Sequence, residues 1–280
     1  MGEKEIHCLQ EYLGWVKELR DSGDYFPINN IFFRGQADET WEIKPSIYRD
    51  NYNEHKMLNI AKIKGAPFLK DCKTDLEILI TLQHYGLPTR ILDVTTNPLV
   101  ALYFACHKEN SKNGRVLWGH YNNMYERVYA EIVAQILFLT DFYGGNMATK
   151  KQIVDLLKYT SCKSQRKTCL QMFTKSLFFF PPYVNPRIIA QSGAFLMSAL
   201  IKKWDDDTGV ILNSEYEGVS TISNKFENNY VIIPAEKKDE LLLELDKCGI
   251  NQATLFPDLQ NLTEYIKNSS GGGLKFDDTM

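Results

Sequence analysis

Apolar positions along the chain alternate between helical and strand spacing. Over residues 3–21, Ile6, Leu9, Tyr12, Leu13, Val16 and Leu19 recur on one helix face, and Ser22-Gly23-Asp24 ends it. I-F-F-R-G, ending at Gly35, predicts a short buried strand that presents Arg34 at its end. Pro45, in K-P-S-I-Y, marks a turn that leads into further helix. From Asp75 to Tyr85 a helix carries Leu76, Leu79, Ile80, Leu82 and Gln83 in register. It brings His84 and Tyr85 to its C-terminal end, where Gly86 is a natural cap. Leu87 to Val94 is too short and too proline-restricted for a helix and predicts a loop entering a strand at Ile91-Leu92. Asn97 as N-cap and Pro98 in the first turn open the next helix, which buries Leu99, Leu102, Tyr103 and Ala105. Gly114 to Tyr121 predicts a strand.

Residues 127–175 read as mostly helical, with Val133, Ile136, Leu137 and Leu139, then Ile153, Val154, Leu156 and Leu157. This stretch interrupts a strand-rich order and predicts a helical insertion over about 125–180, closed by Leu177 to Tyr183. Strand patterns return in R-I-I-A-Q-S-G-A-F-L-M from Arg187, in G-V-I-L and in N-Y-V-I-I-P. A helix over Lys237 to Cys248 and a shorter one to about Lys267 follow, and Ser269 to Met280 has the composition of a frayed tail. The fold class expected is α+β, a mixed or mainly antiparallel central sheet flanked by helices. One domain over 1–268 and a flexible tail over 269–280 are expected.

Composition narrows the setting more than the chemistry. With 44% hydrophobic and 24% charged residues in 280, the chain has the balance of a soluble globular protein. No stretch approaches the ~20 apolar residues of a membrane span, and the polar start M-G-E-K-E argues against a secretory signal. Six cysteines without a C-x-x-C pair favour reduced thiols, hence a cytoplasmic protein with no membrane partner. Net charge is near zero, 32 basic against 35 acidic residues. The segment 144–187 departs from it, with Lys150, Lys151, Lys158, Lys163, Arg166, Lys167, Lys175 and Arg187 against Asp155 alone. Such a segment either attracts nucleic acid or an acidic protein, or is the solvated face of a helical insert.

The candidate chemistry concentrates in Gln83 to Cys106 and in F-R-G-Q upstream (Phe33 to Gln36). Arg34 carries a guanidinium fork suited to phosphate or carboxylate, and Gly35 beside it admits a close approach to the backbone. A structural role for Arg34, paired with Asp93, is the alternative. His84 and Tyr85 stand where a helix gives way to a loop, suited to a ribose hydroxyl and a flat ring, or to capping and packing. Arg90, three residues before Asp93, is placed to pair with it. Thr95 and Thr96 precede a helix N-terminus and are placed to cap it or to hold an anion there. There is no G-x-S-x-G, P-loop or H-E-x-x-H, and the five histidines are dispersed, so no metal is expected.

F-R-G-Q and Q-H-Y-G-L-P-T-R-I-L-D-V-T-T-N-P-L-V-A-L-Y-F-A resemble the FRG-domain family, and Arg187 to Phe195 and Gly249 to Leu259 resemble its later signatures. A looser resemblance, from an aromatic-Arg-Gly strand followed by hydroxyl residues before a V-A-x-x-F-A helix, is to ADP-ribosyltransferases of the Arg-Ser-Glu type. That resemblance implies an ADP-ribosyltransferase-like fold with NAD as substrate. Arg34 then clamps the diphosphate or ribose, and Thr95 and Thr96 support the nicotinamide pocket. A strand from Ile188 to Met197 offers Gln191 where an acid is expected. The implied catalytic set is Arg34, His84 and Gln191. The implied NAD-binding set is Arg34, Gly35, Gln36, His84, Tyr85, Thr89, Arg90, Asp93, Thr95 and Thr96. The acid is Glu215, Glu217, Asp93, Glu131 or none. The function implied is modification of a nucleic acid or protein acceptor reached through 144–187, as in a toxin or antiphage effector with an antitoxin partner. The alternatives are a non-catalytic module that binds a nucleotide or nucleic acid, and an interaction domain whose polar cluster is structural.

Overall fold

A computed structural model describes residues 4–21, 31–50, 52–121, 126–139, 147–148, 172–182, 185–205, 209–212, 222–226 and 229–270. Most of the basic segment, Glu215, Glu217 and the tail from 271 therefore lie outside the described residues.

The frame is a six-stranded sheet built from β1 (Ile31–Gln36), β2 (Ile91–Thr95), β3 (Gly114–His120), β5 (Leu177–Phe179), β6 (Gly193–Met197) and β9 (Tyr230–Ile233). Its order is β5-β6-β2-β1-β3-β9, and every named strand pair is antiparallel. A single parallel bridge, Glu5 to Ile232, adds the N-terminal segment at the β9 edge. A small second sheet joins β4 (Met147–Ala148), β8 (Gly209–Leu212) and β7 (Ile201–Asp205).

Alternation along β1 assigns its neighbours to two faces. Phe32 belongs to a core with Leu92, Val94, Leu117, Phe178, Leu196 and Phe226. Phe33 turns the other way, to α1 (Leu9–Asp21), α5 (Pro98–Cys106) and α8 (Lys238–Lys247). On that same side a separate core gathers around α4 (Asp75–His84) and α6 (Glu126–Leu139), with Ile80, Ile91, Ile188, Phe195 and Met197. Helix α5 is apolar on every side, and Val100, Ala101, Leu102, Tyr103, Ala105 and Cys106 are all buried. It lies so close to the sheet that a Cβ at Gly35 would stand 1.9 Å from the Ala101 carbonyl, and one at Gly114 would stand 2.1 Å from that of Ala105. These two glycines are the groove that seats the helix. Gly35 therefore serves backbone packing against α5, and the space expected for a ligand is filled by protein.

Local capping sets the helix ends that the sequence pattern predicts. Asn97 accepts from the Leu99 amide at 3.0 Å, and Gly86 follows α4 with φ +90°. Corrections fall on the later half. The run from Ile188 does not form one strand: Asn185 caps α7 (Pro186–Ala190), a left-handed Ser192 turns the chain, and the strand begins only at Gly193. Within the expected insertion α6 is helical, but β5 is an edge strand of the main sheet, bonded along β6 from Leu177 to Phe179.

Candidate functional site

Between β1 and β2 the register holds one pair, Phe33 with Thr95, whereas β1 and β3 pair along their whole length. The two halves of the sheet part there, and a cleft of about 300 Å³ opens where the α4–α6 core meets the α5 core. One core supplies Ile80, Ile188 and Phe195 to its walls, the other Phe33, Val100 and Phe104. The polar lining is Arg34, Gln83, His84, Asp93, Thr95, Arg187 and Gln191.

Arg34 bridges the parting strands. Its Nη1 donates to the main-chain carbonyl of Asp93, and its buried Nε has no hydrogen-bond partner among the described residues. Burial lowers the guanidinium to about 10, and the charge of Asp93 opposes that fall while Arg49 and Arg115 add to it. The expected pairing of Arg34 with the Asp93 carboxylate does not occur. That carboxylate, exposed to the cleft, accepts from Gln83 Nε2 at 3.1 Å. Gln83 is held in turn by the Thr89 hydroxyl, which donates to its Oε1 and accepts from the Ile91 amide at 3.2 Å. Thr89 is thus fully buried behind the cleft and acts on it through Gln83.

His84 sits on the exposed rim. Partial burial first, and the charge of Arg187 second, hold its pKa below the ordinary histidine range, against Asp93 and Asp258. Tyr85 next to it points outward, 82% exposed, and does not line the cleft. Thr95 lines it, but its hydroxyl donates to the Gln191 carbonyl at 2.7 Å and accepts from the Asn97 amide at 3.0 Å. The Thr96 amide donates to the Ser192 carbonyl at 3.1 Å, and the Thr96 hydroxyl is directed to the same oxygen at 3.4 Å. The threonine pair therefore fastens the end of β2 to the α7–β6 turn, and the capping role belongs to Asn97. This tie brings Gln191 into the cleft. Its Nε2 donates to the Leu255 carbonyl at 3.0 Å, which leaves its Oε1 without a partner among the described residues.

Three members of the expected set serve the frame. Arg90 does not meet Asp93: its Nε lies 3.0 Å from both carboxylate oxygens of Glu54 and its Nη2 closes the pair, almost out of solvent. Gln36 is buried, accepting from Arg115 Nε at 2.8 Å. Gly35 borders the cleft through its backbone and seats α5. Of the two acids considered that are described, Asp93 and Glu131, Asp93 is the one in the lining. Glu131 is on α6, away from the cleft, with its carboxyl raised by burial and one buried carboxylate oxygen without a partner among the described residues.

Sequence reasoning missed Gln83, Phe104 and Arg187 as site residues. Gln83 was read as part of a helix register, and Arg187 as one charge of a basic segment. The available signal for Arg187 was Asn185-Pro186 just before it, a helix start that fixes the direction of the next side chains.

No match was found among curated proteins or among solved structures. A family model for the FRG domain matches residues 29–114, from just before β1 to the start of β3, and so takes in Arg34, the α4–β2 loop and α5. Residues 29–114 of this chain are an FRG domain.

Proposed function

We propose that the cleft binds NAD as substrate and that the protein is an ADP-ribosyltransferase-like enzyme. The observation that carries this reading is the convergence of Arg34, His84, Asp93 and Gln191 on one cavity with aromatic walls. A half-buried guanidinium whose buried Nε has no partner among the described residues favours an anionic ligand. Phe33, Phe104 and Phe195 give the cleft aromatic walls, a setting in which a flat ring can be buried. A volume of about 300 Å³ suits one nucleoside with its first phosphate, so the other half of a dinucleotide would extend past the rim.

In such a transfer the bond between ribose C1′ and the nicotinamide nitrogen breaks, and the electron pair leaves with the ring, which becomes neutral. C1′ becomes electron-poor and bonds to an acceptor oxygen or nitrogen, whose proton passes to a base. Asp93 is the anion placed to face the developing cation, because Gln83 occupies one of its oxygens and leaves the other to the cleft. Gln191 Oε1 is placed to accept from a ribose hydroxyl. His84, held toward its neutral form, is placed to receive the acceptor proton.

A second reading, a module that binds a nucleotide without turnover, is favoured by one observation: no glutamate lines the cleft among the described residues, and Gln191 stands there instead. Incubation with NAD labelled in the adenylate, together with RNA, DNA or lysate, separates the two. Nicotinamide release with label transfer, lost in Asp93→Asn and Arg34→Ala, supports the enzyme. Stoichiometric NAD binding without release supports the module, and no binding by the wild type overturns both.

A further inference from the structure

We infer that Arg187, stacked on Phe256 at the mouth of the cleft, is the residue that holds the ligand's phosphate. The guanidinium carbon of Arg187 lies 4.5 Å from the centroid of the Phe256 ring. Stacking covers the apolar face of a guanidinium and leaves its N–H edge for a planar, two-point contact with an oxyanion. That edge is unclaimed: among the described residues, no carboxylate lies within ion-pair distance of Arg187 and no acceptor takes a hydrogen bond from its side chain.

One acid that feels this charge is already engaged. Hydrogen bonds from Asn261 lower the Asp258 carboxyl first and the charge of Arg187 adds to it; the Asn261 main-chain N–H donates to Oδ1 at 2.9 Å and its Nδ2 to Oδ2 at 2.7 Å. Asp258 lowers the local cost of the cation without occupying it. Phe256 is itself fixed, edge-on to Phe104 at 6.1 Å, and Phe104 is a wall of the cleft. The stack thus runs from cleft wall to guanidinium. Arg34 is less suited to the same task, because one end of its fork is spent on the Asp93 carbonyl. The two arginines divide the work: Arg34 fixes the strands and the inner end of the ligand, and Arg187 takes a phosphate monoester or diphosphate at the rim.

This assignment rests on the nucleotide reading of the cleft, and the test separates the two. Calorimetry compares nicotinamide mononucleotide with nicotinamide riboside, which differ by one phosphate, and adds inorganic pyrophosphate. The wild type is expected to prefer the mononucleotide at least tenfold. Arg187→Gln is expected to remove that preference while riboside affinity stays within twofold. Arg187→Lys is expected to restore part of it, since lysine keeps the charge but neither forks nor stacks, and it serves as the folded control. A phosphate preference unchanged in both variants overturns the assignment. Pyrophosphate binding that disappears in Arg187→Gln, with neither nicotinamide compound bound by the wild type, keeps the arginine and discards the nucleotide. A wild type that binds neither pyrophosphate nor the mononucleotide overturns the assignment as well.

Discussion

Arg34 donates to the backbone carbonyl of Asp93, and the Asp93 side chain turns to Gln83 instead. The cation therefore closes the gap between two strands that pair at a single position, and leaves the acid free to face the cleft. Arg34→Met should remove one charged hydrogen bond and orphan its acceptor, a loss of about 1.5–3 kcal/mol in urea unfolding. NAD binding should fall below detection in the same variant. A variant as stable as wild type would show that the carbonyl finds water without difficulty.

Gly35 should tolerate no side chain. Its Cβ would meet the backbone of α5 at Ala101 and Ala105, which cannot swing aside as a flexible side chain would. Gly35→Ala is expected to cost about 3 kcal/mol or to abolish soluble expression, near the upper end of overpacking penalties. Thermal melting checks this, and an unchanged midpoint would contradict the close seating of the helix.

The Arg90–Glu54 pair is nearly buried, with side chains 11% and 12% exposed. Glu54→Leu or Arg90→Met alone should cost about 3–5 kcal/mol, because each strands the opposite charge. Replacing both, Glu54→Leu with Arg90→Met, should recover much of the loss. Urea titrations of all the variants complete the cycle, and additive losses would deny the coupling.

His84 gives a pH dependence of defined sign. Its folded pKa is depressed below the unfolded value of about 6.5, so the unfolded chain binds the proton more readily. Its contribution to stability is complete above about pH 6.5 and is lost as pH falls through the folded pKa. His84→Gln should flatten that part of a stability profile from pH 5 to 8. In Arg187→Gln the His84 resonance should titrate at higher pH than in wild type, followed by NMR. A downward move would mean that Arg187 does not face the imidazole.

How much of this was legible in the sequence depended on the range of the cause. Capping by Asn97 and the turn at Gly86 act within a few residues, and both were readable. The density of polar residues in Gln83 to Cys106 also located the cleft. What could not be read was direction. Arg90 and Gln36 look like ligand-binding residues until Glu54 and Arg115 arrive, from 36 and 79 residues away. Thr96 is decided by the Ser192 carbonyl, 96 residues on. The strand β5 hid for a similar reason: L-F-F-F-P-P announces an apolar stop, but only β6 makes it a sheet edge. Secondary structure at Arg187 to Gln191 was misread because Ile188 and Ile189 favour a strand, while the cap at Asn185 prevailed.

The matched FRG segment ends at residue 114, but one wall of the cleft comes from residues 187–195 and is braced by Leu255 and Phe256. During synthesis, therefore, the ribosome releases Arg34, His84 and Asp93 long before their cleft can close. Contacts between residues so distant in the chain also form late in folding. The matched segment, expressed alone, has no complete cleft, and a nascent chain stays without one until Leu255 and Phe256 have emerged. Whatever chemistry the cleft performs therefore waits on the synthesis of residues 187–256.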